Sequence, residues 1–268
     1  MSRIIAFFNQ KGGTAKTTST LNVAAALGER GARVLAVDMD PQASLTMALG
    51  ADIEHIAASV YDVLVDEAVA LDDVILPTRV AGVDLAPSHP DLAAAELELL
   101  NELERERRLS EQLRHEQTAR YDYVLIDSPP ALNILSVNIL VAAHDLVIPI
   151  EPHPLSLMVL ERLFQTVGRV RRLNPQLRVV GFLPTKVHHS SRLAADMLDQ
   201  LRERYPAVPQ LPAAPLSVKG AEAVALHTSI LDYQPRSTLA AAYRDVAAAL
   251  AQVSGDLPGK QRERVANG

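Results

Sequence analysis

Along the chain, short runs of β-branched and aliphatic residues alternate with longer stretches whose apolar positions recur every three or four residues. The runs are "RIIAFF" (3–8), "RVLAVD" (33–38), "VDLAPS" (83–88), "YVLIDS" (123–128), "LVIPIE" (146–151) and "RVVGFLPT" (178–185). They are almost continuously hydrophobic instead of alternating, which is how parallel strands buried on both faces read. Between them, residues 16–30, 90–116, 155–173 and 191–204 read as helices. This order predicts an α/β fold, a mostly parallel twisted sheet with helices on both faces. No long linker or internal repeat interrupts it, so residues 1–253 read as one domain. The polar, Gly/Pro-broken stretch 254–268 reads as a flexible tail. A final helical pattern sets Leu239, Tyr243, Val246, Leu250 and Val253 on one stripe, read as core packing and not as a lipid face.

Composition narrows the chemistry. A chain of 268 residues is long enough to bury a substantial core. Cysteine is absent, which excludes disulfides, thiolate metal sites, iron–sulfur clusters and cysteine nucleophiles. The N-terminal residues lack a charged leader and cleavage pattern, and no apolar run approaches the roughly 18–20 residues of a membrane span. The expectation is a cytoplasmic protein. Net charge is −6, but residues 1–150 carry 11 Lys and Arg against 22 Asp and Glu, while residues 151–268 carry 15 against 10. A basic face on an acidic protein is therefore expected.

The strand ends carry the candidate site. The stretch "NQKGGTAKTTST" (9–20) follows the first strand and opens a helix that closes at Gly31, a C-cap residue type. A loop so placed aims its backbone N–H groups and the helix N-terminus at an anion, which favours phosphate. The standard phosphate-binding loop G-x-x-x-x-G-K-[ST] has glycines six residues and one residue before its lysine. With Lys16 as that lysine, those positions hold Gln10 and Ala15. Lys16 would reach the β- and γ-phosphates, and the Thr17 hydroxyl would coordinate Mg2+. The strand at 123–128 ends in Asp127, where a Walker-B carboxylate would sit, and "VLAVDMDPQ" delivers Asp38 and Asp40 to the same rim. Ligands of open α/β sheets bind at that rim. A phosphate cradle and three acids together predict a nucleotide–magnesium site.

These residues resemble the deviant Walker-A ATPases of the ParA/MinD group, and within it the ParA (Soj-like) partition ATPases. The resemblance rests on "KGGTAKTT", "DMDPQAS", "YDYVLIDSPPALNILSVNILVAA", "VIPIEP" and the region from "PLSVKGAEA" to "YRDVAAAL", and runs from residue 3 to about residue 253. The family motif is K-G-G-x-G-K-[ST]-[ST], whose first lysine Lys11 matches, so Gln10 is no defect. The resemblance implies bound ATP and Mg2+, with Lys11, Gly12, Gly13, Thr14, Ala15, Lys16, Thr17 and Thr18 around the phosphates and Pro215 near the adenine. It also implies a homodimer in the ATP state, in which Lys11 of one subunit meets the nucleotide of the other, much as an arginine finger acts in trans. Asp40 matches the aspartate that orients the attacking water, and Asp38 and Asp127 match acids around magnesium. Asn138 matches a residue coupling nucleotide state to conformation; its other reading is a solvated helix residue. Ala15 departs from the family glycine. If φ there is positive, its methyl group costs ~1–2 kcal/mol.

The resemblance implies a DNA-partitioning ATPase in chromosome or plasmid segregation, nucleoid-associated and stimulated by a ParB-type partner. MinD proteins bind membrane instead, through a C-terminal amphipathic helix; the Pro- and Gly-containing tail here, without aromatics, makes a poor anchor. Lys219, in "PLSVKGAEA", and Arg192, in "HHSSRLAADML", fall near positions where ParA relatives carry basic residues against the DNA backbone. Arg169, Arg171, Arg172 and Arg178 are further candidates. Each also reads as an ordinary solvated charge. Such contacts to double-stranded DNA carry no sequence preference and weaken with salt, and no helix-turn-helix extension like that of longer plasmid ParA proteins is expected. Three other readings remain: a ParA-like positioning ATPase for a protein cluster, a MinD-like membrane-cycling regulator, and a metabolic P-loop enzyme, against which Lys11 argues. "ELERERR" (102–108) reads as a solvated helix face, and His188-His189 lacks a third metal ligand at suitable spacing.

Overall fold

The computed structural model describes residues 2–114, 116–153, 156–188 and 191–253. The expected tail at 254–268 and His189 lie outside the described residues. Seven strands form one sheet: β1 (Arg3–Phe7), β2 (Val34–Asp38), β3 (Leu76–Pro77), β4 (Val83–Ala86), β5 (Tyr123–Asp127), β6 (Asp145–Ile150) and β7 (Arg178–Pro184). Their spatial order is β3-β4-β2-β5-β1-β6-β7. All pairs are parallel except the short edge pair β3–β4. Pro77 sits on that edge, where a missing N–H is tolerated.

The α-helices are α1 (Lys16–Glu29), α2 (Ser44–Ala48), α3 (Val60–Val65), α4 (Ala95–Glu98), α5 (Arg108–Gln112), α6 (Ile134–Ala142), α7 (Ser156–Val170), α8 (Arg192–Arg204), α9 (Val218–Ala225), α10 (Ile230–Tyr233) and α11 (Thr238–Val253). Alternate residues of the central strands enter two cores. Ile4, Ala6 and Phe8 join α6 and α7 on one face; Ile5 and Phe7 join α1 and α11 on the other. This two-sided burial is why the strands read as unbroken apolar runs. Leu239, Tyr243, Val246 and Leu250 are buried as the stripe predicted, while Val253 at the helix end is exposed. Gly28 lets α1 approach the turn before β4, since a Cβ there would lie 2.1 Å from the Ala81 carbonyl oxygen. No helix among the described residues is long and apolar enough to cross a membrane.

The single helix expected over 90–116 is not formed. The chain instead makes a 3₁₀ turn at Pro90–Ala93, α4, a second 3₁₀ turn at Leu99–Asn101 and then α5. Glu104 takes a left-handed conformation, φ 52°, which no α-helix continues through. "ELERERR" is accordingly a strap and not a helix face. Its Arg108 pairs with Glu67 at 2.7 Å and with Glu102 at 3.1 Å, neither of them a one-turn neighbour.

Candidate functional site

The phosphate loop spans the gap between the end of β1 and the start of α1. Gly13 (φ 74°) and Ala15 (φ 58°, ψ 35°) both turn left-handed, so the loop winds tightly under α1. The positive φ at Ala15 is the condition under which its methyl group costs about 1–2 kcal/mol. No side chain caps α1 and its first turn holds no acid, whereas α6, α8 and α10 are capped by Asn133, Ser191 and Ser229. The first N–H groups of α1 are left for an anion. The loop is tied down on either side. Asn9 Nδ2 donates to the Pro149 carbonyl at 2.7 Å and its Oδ1 accepts from Lys11 N at 3.0 Å, while Thr185 Oγ1 donates to the Thr14 carbonyl at 3.1 Å. Lys16 is buried beneath the loop. Lys11 is partly exposed, and its ammonium makes no hydrogen bond or ion pair among the described residues.

Asp38 and Asp127 are register partners at the ends of β2 and β5, and both are fully buried. Asp127 Oδ2 accepts from Thr17 Oγ1 at 2.5 Å. Asp38 spends its oxygens locally, accepting from Asp40 N at 3.1 Å and from both Thr46 N and Thr46 Oγ1 at 2.8 Å. Asp40 accepts from Gln42 N, and its carbonyl accepts from Ser88 Oγ. Burial lowers the Lys16 ammonium, against the opposing pull of Asp127 and Asp40. Burial, opposed by its hydrogen bonds, raises Asp38 to about 6. Burial and then repulsion from Asp38 raise Asp127 to about 8. The rim thus concentrates more negative charge than Lys16 alone offsets, which suits a bound cation.

Both raised values have the same consequence for folding. Below about pH 4 native and unfolded carboxyls are alike protonated; between there and about pH 8 the unfolded chain sheds protons that the native state keeps. Stability therefore falls as pH rises. For nucleotide-free protein in chelator, the melting temperature is expected to drop between pH 6 and 8, and Asp127→Asn to flatten that slope. Parallel slopes for the two proteins would clear Asp127 of the effect.

Comparison with known proteins adds independent evidence. A protein-family model described as "AAA domain" matches residues 2–179. The Bacillus subtilis sporulation initiation inhibitor protein Soj is 37% identical over 92% of this chain and 97% of its own length. The Myxococcus xanthus chromosome partitioning protein ParA is 33% identical over 99% and 93%. The chain belongs to the ParA/MinD family of P-loop ATPases. Among solved structures, a Mycobacterium smegmatis protein described as cobyrinic acid a,c-diamide synthase, with bound ADP and magnesium, superposes with TM-score 0.84 at 35% identity over 96% of both chains.

The remaining site residues of this ParA/MinD ATPase divide by what they touch. Pro215 forms an isolated bridge with Val187 just beyond β7, whose end is tied to the loop through Thr185, so it lies on the loop's side of the sheet. Asn138 is not a solvated residue. It is fully buried in α6, donates to the Arg105 carbonyl at 2.8 Å and accepts from Leu109 N at 3.2 Å. It pins the strap to the helix that follows the Asp127 strand.

Lys219 and Arg192 are both exposed in the first turns of α9 and α8, Lys219 bonded to Glu222 at 2.7 Å. Arg169 lies in the last turn of α7 and Arg171 just past it, and Arg178 pairs with the buried Asp145 at 2.9 Å, as does Arg3 at 2.5 Å. Arg178 is thus held in an ion triad with Arg3 and Asp145, its own side chain half-exposed. Among the described residues no group of three or more His, Asp or Glu is arranged to hold a metal. Sequence reasoning missed Thr46 and Ser88, which fix Asp38 and Asp40 through contacts from later segments of the chain.

Proposed function

We propose that this chain is a partition-type ATPase. ATP would drive two subunits together, the dimer would bind double-stranded DNA without sequence preference, and a ParB-type partner would stimulate hydrolysis and release. The observation that carries this reading is the contrast between the two loop lysines. Lys16 is buried against its own acids, and Lys11 stands partly exposed, its ammonium without a partner among the described residues. An unpaired cation at the crown of a phosphate loop is what a contact in trans requires.

The Thr17 hydroxyl and the Asp127 carboxylate, 2.5 Å apart, offer hard oxygens suited to Mg2+. Asp38, with its oxygens already engaged, would act one step removed. Mg2+ would neutralise phosphate charge during transfer. The chain's own residues do the rest. The α1 N–H groups and Lys16 hold the phosphates, Asp40 accepts from and aligns the attacking water, and the partner's loop excludes bulk solvent. Lys219 would exchange Glu222 for a DNA phosphate, with Arg192 alongside.

The test is binding to a random-sequence duplex with ATP or ADP across a salt series. ATP-dependent binding is expected, with log K falling in proportion to log salt by about 0.9 per phosphate neutralised. Binding that ignores nucleotide state would refute the switch. ATP turnover per subunit that is independent of protein concentration would favour a metabolic enzyme, the kind of activity for which the M. smegmatis neighbour is described.

A further inference from the structure

The acids of the site follow β2 and β5 and its loop follows β1, yet a third cation reaches the same cradle from the other side of the loop. Lys186 follows β7 and adopts a left-handed backbone, φ 54°. A lysine held there bears a local cost, and such outliers gather at sites of function. The conformation turns the side chain back over the loop: a Cβ built on Gly13 would lie 4.0 Å from Lys186 Nζ. Its ion-pair partner in the structure is Glu151 at the end of β6, at the long distance of 4.0 Å, with both side chains about 40% exposed. An ion pair so long and so exposed is weak. The ammonium is therefore free to exchange Glu151 for a stronger anion.

The sheet order says which anion. Strands run β2-β5-β1-β6-β7, so Asp38, Asp40 and Asp127 lie on one side of the loop and Lys186 on the other. A terminal phosphate undergoing attack must face Asp40 and Thr17. The phosphates nearer the nucleoside then run toward β6 and β7, where the Thr185 hydroxyl already braces the Thr14 carbonyl and Pro215 lies beyond Val187. We propose that Lys186 is a nucleotide-binding residue that contacts the inner phosphates, those that ATP and ADP share, and that Glu151 is its resting partner, given up when nucleotide binds. The inference rests on the ATPase reading of the loop and adds to it a residue outside the loop motif.

Three variants test it by direct titration of ATP and of ADP with Mg2+, in a calorimeter, on protein whose folding is checked by circular dichroism and melting. Lys186→Gln removes the charge while keeping a non-glycine residue at the turn. It is expected to weaken both nucleotides about tenfold, the scale of one charge-assisted hydrogen bond. Lys186→Arg is expected to restore most of the loss. Glu151→Gln removes the competing acid and is expected to tighten both nucleotides, which a merely structural ion pair would not do. Unchanged affinity in Lys186→Gln, a loss confined to ATP, or equal weakening in Glu151→Gln would each overturn the assignment. The wild type separates this failure from the broader one. If it binds neither nucleotide, the ATPase reading of the loop falls; if it binds both and Lys186→Gln binds equally well, only the role of Lys186 falls.

Discussion

Replacing Lys16 by alanine is expected to abolish nucleotide binding. Lys16 is 7% exposed and lies under a loop whose helix N-terminus has no cap, so its charge is held at the cradle before any partner arrives. A charge-assisted hydrogen bond contributes about 1.5–3 kcal/mol, and a lysine bridging two phosphates makes more than one, so a loss of at least about a hundredfold follows. A second effect works in the same direction. Lys16 opposes the upward shift of Asp127, and without it that carboxyl is driven further toward its protonated form. A protonated Asp127 is a poorer partner for magnesium, so ATP with Mg2+ should suffer more than ATP in chelator. Titration of a fluorescent ATP analogue with and without Mg2+ measures both terms. The melting temperature without nucleotide is the control, since loss of a buried cation between acids also destabilises the fold. Affinity within a few-fold of wild type would remove Lys16, and with it the phosphate-loop reading, from the account.

How far the sequence disclosed this arrangement depends on the range of the interactions involved. The parallel strands were legible because burial on both faces leaves a local mark, an unbroken apolar run ending in a rim residue such as Asp38 or Asp127. The left-handed turn at Ala15 was legible as a consequence to be checked, and φ 58° bears it out. The segment 90–116 was misread because its leucines at 97, 100 and 103 repeat at helical spacing while being 72%, 54% and 88% exposed. The periodicity was real but did not face the core, and the left-handed Glu104 breaks it. Asn138 was assigned to a helix correctly, yet its burial follows from the strap folding across α6, which no local pattern announces. Lys186 carried no motif at all. Its place over Gly13 exists only because β7 lies two strands from β1.

Asp40→Ala should separate binding from turnover. Three contacts hold the Asp40 backbone or its turn without the carboxylate: its N–H donates to Asp38 Oδ1 at 3.1 Å, its carbonyl accepts from Ser88 Oγ at 2.7 Å, and Ala43 N donates to the same carbonyl at 2.8 Å. Removing the side chain forfeits one outward hydrogen bond, from Gln42 N, so the rim keeps its shape and the phosphate cradle is untouched. What disappears, in the proposed mechanism, is the acceptor for the attacking water. Groups in that role contribute typically about 10²–10⁴-fold to rate, so phosphate release should fall by about a hundredfold or more with ATP affinity within a few-fold of wild type. The consequence for DNA is larger than the consequence for ATP. In the proposed cycle hydrolysis ends the ATP state, so a variant that binds but does not turn over should stay dimeric and remain on a random-sequence duplex long after the wild type has left. Phosphate release and dissociation from immobilised DNA, measured on the same preparation, give the two rates. Slow release with prolonged DNA residence places Asp40 at the water and couples hydrolysis to the switch. Slow release with wild-type residence would keep Asp40 at the water but detach hydrolysis from DNA release, and near wild-type release would remove Asp40 from the chemistry altogether.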